Sequence, residues 1–460
     1  MNARKALLFV AILVAGTTSE VAWRLRTMGI NTESCFLLPG QWRGPAVTVA
    51  STTSLDVPQG AKVFIENPFG RVSVKAGDPR RVRVDLQSVV YLKSEHRARA
   101  LGDLVKVVAQ QDGDTLRVAT NRELLEREGK LLGTGLETHL ELLVPPSTAV
   151  EIKGEHGTVS VVNVASAKVE NSFGDLQVSN VEGTASLVSR HGDVTVSDVR
   201  GPLDLESHFG DVTADRTAAA ILKVEHGDLN LGHATGARVE LKNGDFKGHD
   251  IDGALDFEGE HAGVDLSGVK SRCSITTSYR DVTLRDVGGD LKVKTEHGGL
   301  DATVVGGDVE AEVAFDDVHV AKVKGGVQVT VVHGGFRGDD LAKGARVTAS
   351  GDDVALAGFK GPVIVESTRG SVELKPAGPL VDPVTVTTQG GGINLSVPKG
   401  SRFDLEAMVS SGELSIASLP DFVHTLESPS RVVGKLAGGG SVVRLSATQG
   451  DVSVGVESQP

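Results

Sequence analysis

The chain has 460 residues and 47.9 kDa, with 47 Lys and Arg against 60 Asp and Glu, a net charge of −13. A hydrophobic fraction of 40% suffices for a large core and argues against global disorder. The acidic balance and an aromatic content of only 4% argue against a nucleic-acid partner, and two cysteines, Cys35 and Cys273, rule out a disulfide scaffold or a Cys-rich zinc site.

At the N-terminus, Arg4 and Lys5 precede an apolar run from Ala6 to Ala15 that Gly16 to Glu20 break. The run has the size of a signal-peptide core and is too short to span a bilayer by itself. Residues 1–26 are read as a signal peptide cleaved before Thr17, or as an uncleaved anchor extended through Val21 to Leu25, where Glu20 would be costly. Residues 27–46 read as a linker. Thr32-Glu33-Ser34 does not give Cys35 the apolar-small context of a lipid attachment site. Residues 47–153 carry longer alternating strands such as Ala61 to Ile65, Arg71 to Val74 and Arg81 to Leu86. Between Ser94 and Val108, Ala98, Leu101, Leu104, Val105 and Val108 recur at helical spacing and predict one amphipathic helix.

From residue 154 one short phrase returns thirteen times at intervals of 17 or 18 residues. Its turn position is held by Gly157, Gly174, Gly192, Gly210, Gly227, Gly244, Ala262, Arg280, Gly298, Asp316, Gly334, Asp352 and Gly370. Within a copy the pattern alternates: Val194 and Val196 share a face that Thr195 opposes, and Leu203 and Leu205 do the same after Arg200-Gly201-Pro202. Each unit is thus two short strands and two turns, and it can bury its apolar face only by stacking on its neighbours. Glycine at the turn supplies positive φ or close approach. The predicted fold is all-β: a single-stranded β-solenoid of about 18 residues per rung over 154–392, right-handed winding being expected. Residues 47–153 form an N-terminal β cap with one helix, and residues 393–460 are C-terminal β repeats and cap, because an open terminal rung would template aggregation.

The order of these motifs resembles the bacterial adhesin-like family of β-strand-repeat domains, a family of unknown biochemical function. The residues carrying the resemblance are Ile65-Glu66-Asn67-Pro68-Phe69-Gly70-Arg71-Val72-Ser73-Val74, then Leu140-Glu141-Leu142-Leu143-Val144-Pro145, the Gly-Asp-Val rungs, and Ile393-Asn394-Leu395-Ser396-Val397-Pro398. It covers about residues 47–460. The resemblance implies an exported or membrane-tethered protein, and it carries no catalytic residues.

Three sets of residues are candidates for chemistry. His156, His191, His226, His261, His297 and His333 form one column spaced 35 or 36 residues, with Phe173, Phe209, Asn243, Tyr279, Phe315 and Gly351 between them. Imidazole suits zinc, copper or nickel, but an 18-residue coil would hold these rings too far apart to share an ion, and only a 36-residue coil would stack them. A covering ladder along the corner is the preferred reading, and no metal is assigned. Asp175, Asp193, Asp211, Asp228, Asp245, Asp281, Asp317 and Asp353 follow the turn. They are read as capping turn N–H groups, with calcium as the alternative. Glu155, Glu225, Glu260 and Glu296 precede four of the histidines but point to the opposite face. Arg280 and Arg369 are read as isolated and solvated, and Cys273 as a small core or edge residue.

No rung concentrates polar residues as an enzyme does. The reading is a non-enzymatic, exported, envelope-associated β-solenoid that acts as an adhesin-like scaffold or binding surface, without cofactor. Its partner would be an envelope protein or polysaccharide, with an N-terminal membrane tether possible. The alternatives are a polysaccharide-active β-helix enzyme and an envelope-stress sensor.

Overall fold

Period-two patterning becomes strand throughout the repeat. The computed structural model describes residues 44–58, 60–417 and 419–456, so the expected export segment, Cys35 and nearly all of the linker lie outside the described residues. Each repeat contributes two strands, except over residues 212–269, where the strands run on through the corners. One series holds β9 (Val159–Val164), β11 (Leu176–Val181) and β13 (Val194–Val199), the other β10 (Ser166–Phe173), β12 (Ala185–Ser189) and β14 (Leu203–Phe209). Each strand pairs in parallel with its counterpart one repeat on: Val178 lies opposite Val196, and Val196 opposite Ala214 in β15 (Val212–His226). This register fixes the coil at ~18 residues rather than 36, in a β-solenoid of about 14 turns.

Val194, Val196 and Leu203 are 1% exposed and Leu205 0%, whereas Thr195 and Asp204 face solvent. The alternation breaks once per coil. In β13, Val196 and Val199 are both inward with Ser197 and Asp198 between them. Asp198 takes up the extra residue by adopting φ 56°. The same left-handed step recurs at Asn163, Asn180, Arg216, His233, Asp250, Gly268, Asp286, Val304, Lys322, Asp340 and Gly358, one per coil. Asn, Asp and Gly dominate this column because Gly has no Cβ to clash in the left-handed region and the short polar side chains of Asn and Asp tolerate it. The core also balances volume along a strand. Phe246, Phe257 and Phe336 are buried and each is followed two residues later, on the same face, by Gly248, Gly259 or Gly338. A Cβ on Gly248 would stand 2.5 Å from Leu266 Cδ2, and one on Gly259 2.6 Å from Phe257 Cε1.

The chain divides into two units, residues 44–146 with 152–157, and residues 147–151 with 158–456. In the first, β1 (Ala46–Asp56) and β7 (Gly135–Val144) both pair antiparallel with β4 (Arg81–Tyr91). Helix α1 (Glu95–Leu104) starts at Ser94, whose hydroxyl accepts the Arg97 N–H, and buries Ala98, Leu101 and Gly102. The helix is shorter than its pattern suggests. Leu104 and Val108 are 46% and 49% exposed, and the chain turns at Val105 into β5 (Val107–Asp112), which forms a hairpin with β6 (Thr115–Thr120). The expected single helix is also corrected to two, for α2 (Arg122–Arg127) follows. Six residues are too few to show a helical period, and tertiary contacts hold this turn. The buried Arg122 donates to the Leu136 carbonyl and lies 4.2 Å over the Phe69 ring.

The second unit ends out of chain order. Strands β30 (Val384–Gly390) and β31 (Ile393–Val397) pair in parallel with β36 (Ser441–Gln449) and β37 (Val452–Val456), the last coil of the chain. That coil in turn pairs with β32 (Phe403–Ser411) and β33 (Leu414–Ile416). It therefore lies between two coils that precede it in sequence. The free edge of β32 is covered antiparallel by β35 (Arg431–Leu436), itself paired with β34 (Phe422–Ser428).

Candidate binding face

The column of rings forms one continuous corner in each of two stretches. Phe173, His191, Phe209 and His226 stack at centroid separations of 4.8, 4.9 and 5.0 Å. His261, Tyr279, His297, Phe315 and His333 stack at 4.5, 5.0, 4.5 and 5.1 Å, and Asn243 separates the two stretches. In the first unit His156 stacks on Phe69 at 4.7 Å. Every second ring being imidazole, neighbouring histidines are about 10 Å apart and the column brings no two of them together. The ring faces cover one another, so only edges are offered to a ligand, although Phe173, Phe209, Tyr279 and Phe315 are about half exposed. The two arginines beside this corner are engaged, which corrects their reading as isolated. Arg280 reaches two coils back to Asp245, while Arg369 donates to the Ser350 carbonyl at 3.0 Å and approaches His333 Nδ1 at 3.2 Å. Glu225 pairs with His208 at 2.8 Å, not with the histidine that follows it.

The turn glycines divide into two kinds. Gly157, Gly174, Gly192, Gly210 and Gly227 hold φ between 118° and 151°. Gly244, Gly298 and Gly334 do not, because the left-handed step there falls on Asn243, His297 and His333. This shift is why Ala262, Arg280 and Asp316 are tolerated in later coils, following His261, Tyr279 and Phe315 at positive φ. Close approach governs the later glycines instead: a Cβ on Gly298, Gly334 or Gly370 would lie 2.1, 2.0 or 1.8 Å from the carbonyl oxygen of the coil before.

The aspartate column is a hydrogen-bond ladder between coils. Asp211 N–H donates to Asp193 Oδ1 at 3.0 Å, and Asp228 N–H to Asp211 Oδ1 at 2.9 Å. Asp245 N–H continues to Asp228 Oδ1, Gly299 N–H to Asp281 Oδ1, and Ser371 N–H to Asp353 Oδ1. A second ladder, unseen in the sequence, runs from Asp308 N–H to Asp290 Oδ1 and from Gly326 N–H to Asp308 Oδ1. Along these ladders a carboxylate meets the amide of the next coil rather than the carboxylate beside it, and the Asp245 carboxylate takes Arg280 instead.

Two shallow depressions lie on the outer face of β18 (Cys273–Ser278), β20 (Leu291–Glu296), β22 (Val309–Ala314) and β24 (Val327–Val332). One depression of about 470 Å³ is lined by Thr276, Lys294, Glu312 and Thr330, and another of about 640 Å³ by Arg272, Lys292, Glu310, Gln328 and Arg346. Strand register creates these rows, since Lys292 lies opposite Glu310 and Lys294 opposite Glu312, in ion pairs of 2.9 and 3.1 Å. The hydrogen bond that the Lys292 ammonium donates to Glu310 holds it above its ordinary pKa. The chemistry of the surface is that of a shallow, wet, mixed-charge groove. Carboxyl groups whose pKa departs clearly from the ordinary, Asp198, Glu225, Asp339 and Glu406, all move downward and remain ionised. Cys273 is buried and unpaired, with its thiol pushed up to about 12 by burial, which keeps it protonated. Sequence reasoning missed this face because its residues are ordinary surface types that only the register collects.

The chain matches the Toastrack DUF4097 family over residues 90–331 and 270–455. It belongs to that family. Toastrack DUF4097 is a domain of unknown function, and the match spans the solenoid coils described above. No curated protein matches. A crystal structure from Clostridium sporogenes that bears the name of a cell adhesion protein aligns over 89% of this chain and 100% of its own, at 8% identity and a TM-score of 0.15. At that score the likeness carries no argument.

Proposed function

We propose that this Toastrack protein is a non-catalytic binding scaffold of the cell envelope, with the outer face of β18, β20, β22 and β24 as its contact surface. The observation that carries the reading is the pair of shallow depressions on one strand face, lined by rows of Lys, Arg, Glu, Gln and Thr repeating at the strand spacing. An extended polymer, an envelope polysaccharide or an extended polypeptide, matches such a repeat better than a compact small molecule does. Export is supported by Arg4, Lys5 and the apolar run to Ala15. A non-catalytic role is supported by the face itself, where Glu310 and Glu312 are paired with Lys292 and Lys294 at 2.9 and 3.1 Å, and by the buried, protonated thiol of Cys273.

The test is binding of the full chain to envelope polysaccharides and to envelope extracts, with product release followed in the same samples. Saturable binding that Lys292→Glu and Lys294→Glu together reduce at least about tenfold, a loss of ~1.4 kcal/mol, supports the reading. Turnover above a heat-inactivated control overturns it in favour of a polysaccharide-active enzyme.

A further inference from the structure

Among the described residues, one group of three metal-ligating side chains converges away from the face and the ring column: His233, His249 and Asp250, whose ligand atoms all lie within 4.8 Å of one another. All three are exposed, so solvent can deliver an ion directly. Two features of the coil place them there. His233 and Asp250 hold the left-handed position of successive coils, at φ 48° and 55°, and their side chains stand in one outward column. His249 belongs to the adjacent column, where Gly232 occupies the coil before and Asp215 the coil before that. Gly232 leaves the room the imidazole uses. A Cβ there would meet His249 Cε1 at 2.7 Å, His249 Nε2 at 2.8 Å and Asp215 Oδ1 at 2.8 Å.

The hydrogen bonding sorts the donors. Asp215 Oδ1 lies 2.8 Å from His233 Nδ1, an arrangement that keeps the proton on Nδ1 and directs the Nε2 lone pair outward. That Nε2 lies 3.7 Å from Asp250 Oδ2, and the same oxygen lies 3.1 Å from His249 Nδ1. A carboxylate oxygen thus sits between two imidazole nitrogens, with a second carboxylate behind one ring, as in the carboxylate–histidine–metal arrangement. Ligand atoms around a tetrahedral zinc ion stand about 3.3 Å apart, which small side-chain rotations reach from these separations. We propose that His233, His249 and Asp250 bind one divalent transition-metal ion of the zinc, copper and nickel class, with Asp215 as the positioning residue behind His233. Three protein ligands leave a fourth position to water or to a group from a partner. Arg216 in the preceding coil pairs with both Asp198 and Asp215. Its charge beside the cluster is thus met by two carboxylates.

The test uses the full chain free of any affinity tag, titrated with Zn2+ by calorimetry and with Co2+ by its visible absorption. Variants borrow residues that the same columns carry in other coils: His233→Asn, as at Asn180, and His249→Ser, as at Ser267. The fold is therefore expected to survive, and metal-free melts check it. The expected result is one equivalent of Zn2+, with Co2+ giving a four-coordinate spectrum and each ligand variant losing at least about tenfold in affinity. Asp215→Asn should lose roughly 10- to 100-fold, and His191→Phe, in the ring column, should lose nothing. No saturable binding below 100 µM, taken as an order-of-magnitude limit of about −5.5 kcal/mol, overturns the proposal. So does undiminished binding by folded His233→Asn and His249→Ser.

Discussion

At the scale of single residues, the sharpest strain in the solenoid is Val304, a β-branched residue at φ 62° in a column otherwise rich in Asn, Asp and Gly. A left-handed backbone costs an ordinary L-residue about 1–2 kcal/mol, and Val304 gains little in return because its side chain is 41% exposed. Val304→Asn should therefore stabilise the protein by about 1 kcal/mol, seen as a higher melting temperature; an unchanged or lower one would mean that the column imposes no strain. The inward–outward sorting has its own test. Val196→Asp puts an unpaired charge into the core, at a cost of about 3 kcal/mol or more, whereas Thr195→Asp one residue away should stay within about 0.5 kcal/mol. Equal destabilisation in thermal melts contradicts the register. This alternation was legible in the sequence, because period two sorts adjacent residues by itself. The left-handed column was equally available, through the extra outward residue in each Val-x-Val-x-x-Val phrase and the Asn and Asp that fill it. The metal cluster was not, since His233 and His249 lie in different columns and only Gly232 lets their rings meet.

At the scale of elements, the C-terminal end departs most from a simple stack. Since β36 and β37 lie between the β30–β31 coil and the β32–β33 coil, ending the chain after Leu436 removes a middle layer and leaves a face on each side of it without a partner. That truncation should cost more stability than deletion of the β34–β35 hairpin. Loss of the hairpin should instead leave the monomer folded and expose the β32 edge to self-association, measurable by sedimentation. Sequence spacing could not reveal this order, because strands in a parallel sheet pair by register wherever the linking chain is long enough to return. Glu406 of β32 fastens the same region. It accepts hydrogen bonds from Arg431 of β35 at 2.8 Å and from Arg444 of β36 at 3.2 Å, and the bonds from Arg444 and Arg431 hold its carboxyl below the usual range. A carboxyl depressed in the folded state contributes stability above its unfolded pKa and loses it as pH falls through the folded value. The melting temperature of the wild type should thus fall on acidification below about pH 4.3 by more than that of Glu406→Gln. The difference will be small because these groups are solvent-screened.

At the scale of the whole chain, the repeat decides what can be removed. Leu291 lies opposite Val309 and Val309 opposite Val327, so residues 291–326 are two complete coils whose deletion joins Asp290 to Val327 without altering the phrase around the junction. Parallel stacking needs only that each coil present the same inward columns to the next. The shortened chain should keep a β-type circular dichroism spectrum and a cooperative melt. Deleting one coil, residues 309–326, preserves the strands equally well but removes Phe315 and sets His297 against His333. Replacing two alternating ring contacts by one between imidazoles should cost about 1 kcal/mol more per coil removed than the two-coil deletion. Deleting half a coil, residues 291–299, leaves one series of strands to pair with the other, interrupts the aspartate ladder at Asp281 and Gly299, and should abolish the native spectrum. The three deletions together separate the two periods in the sequence, the 18-residue one that builds the core and the 36-residue one carried by the corner rings alone. If the half-coil deletion melts like the full-coil ones, the inward columns do not hold the solenoid together.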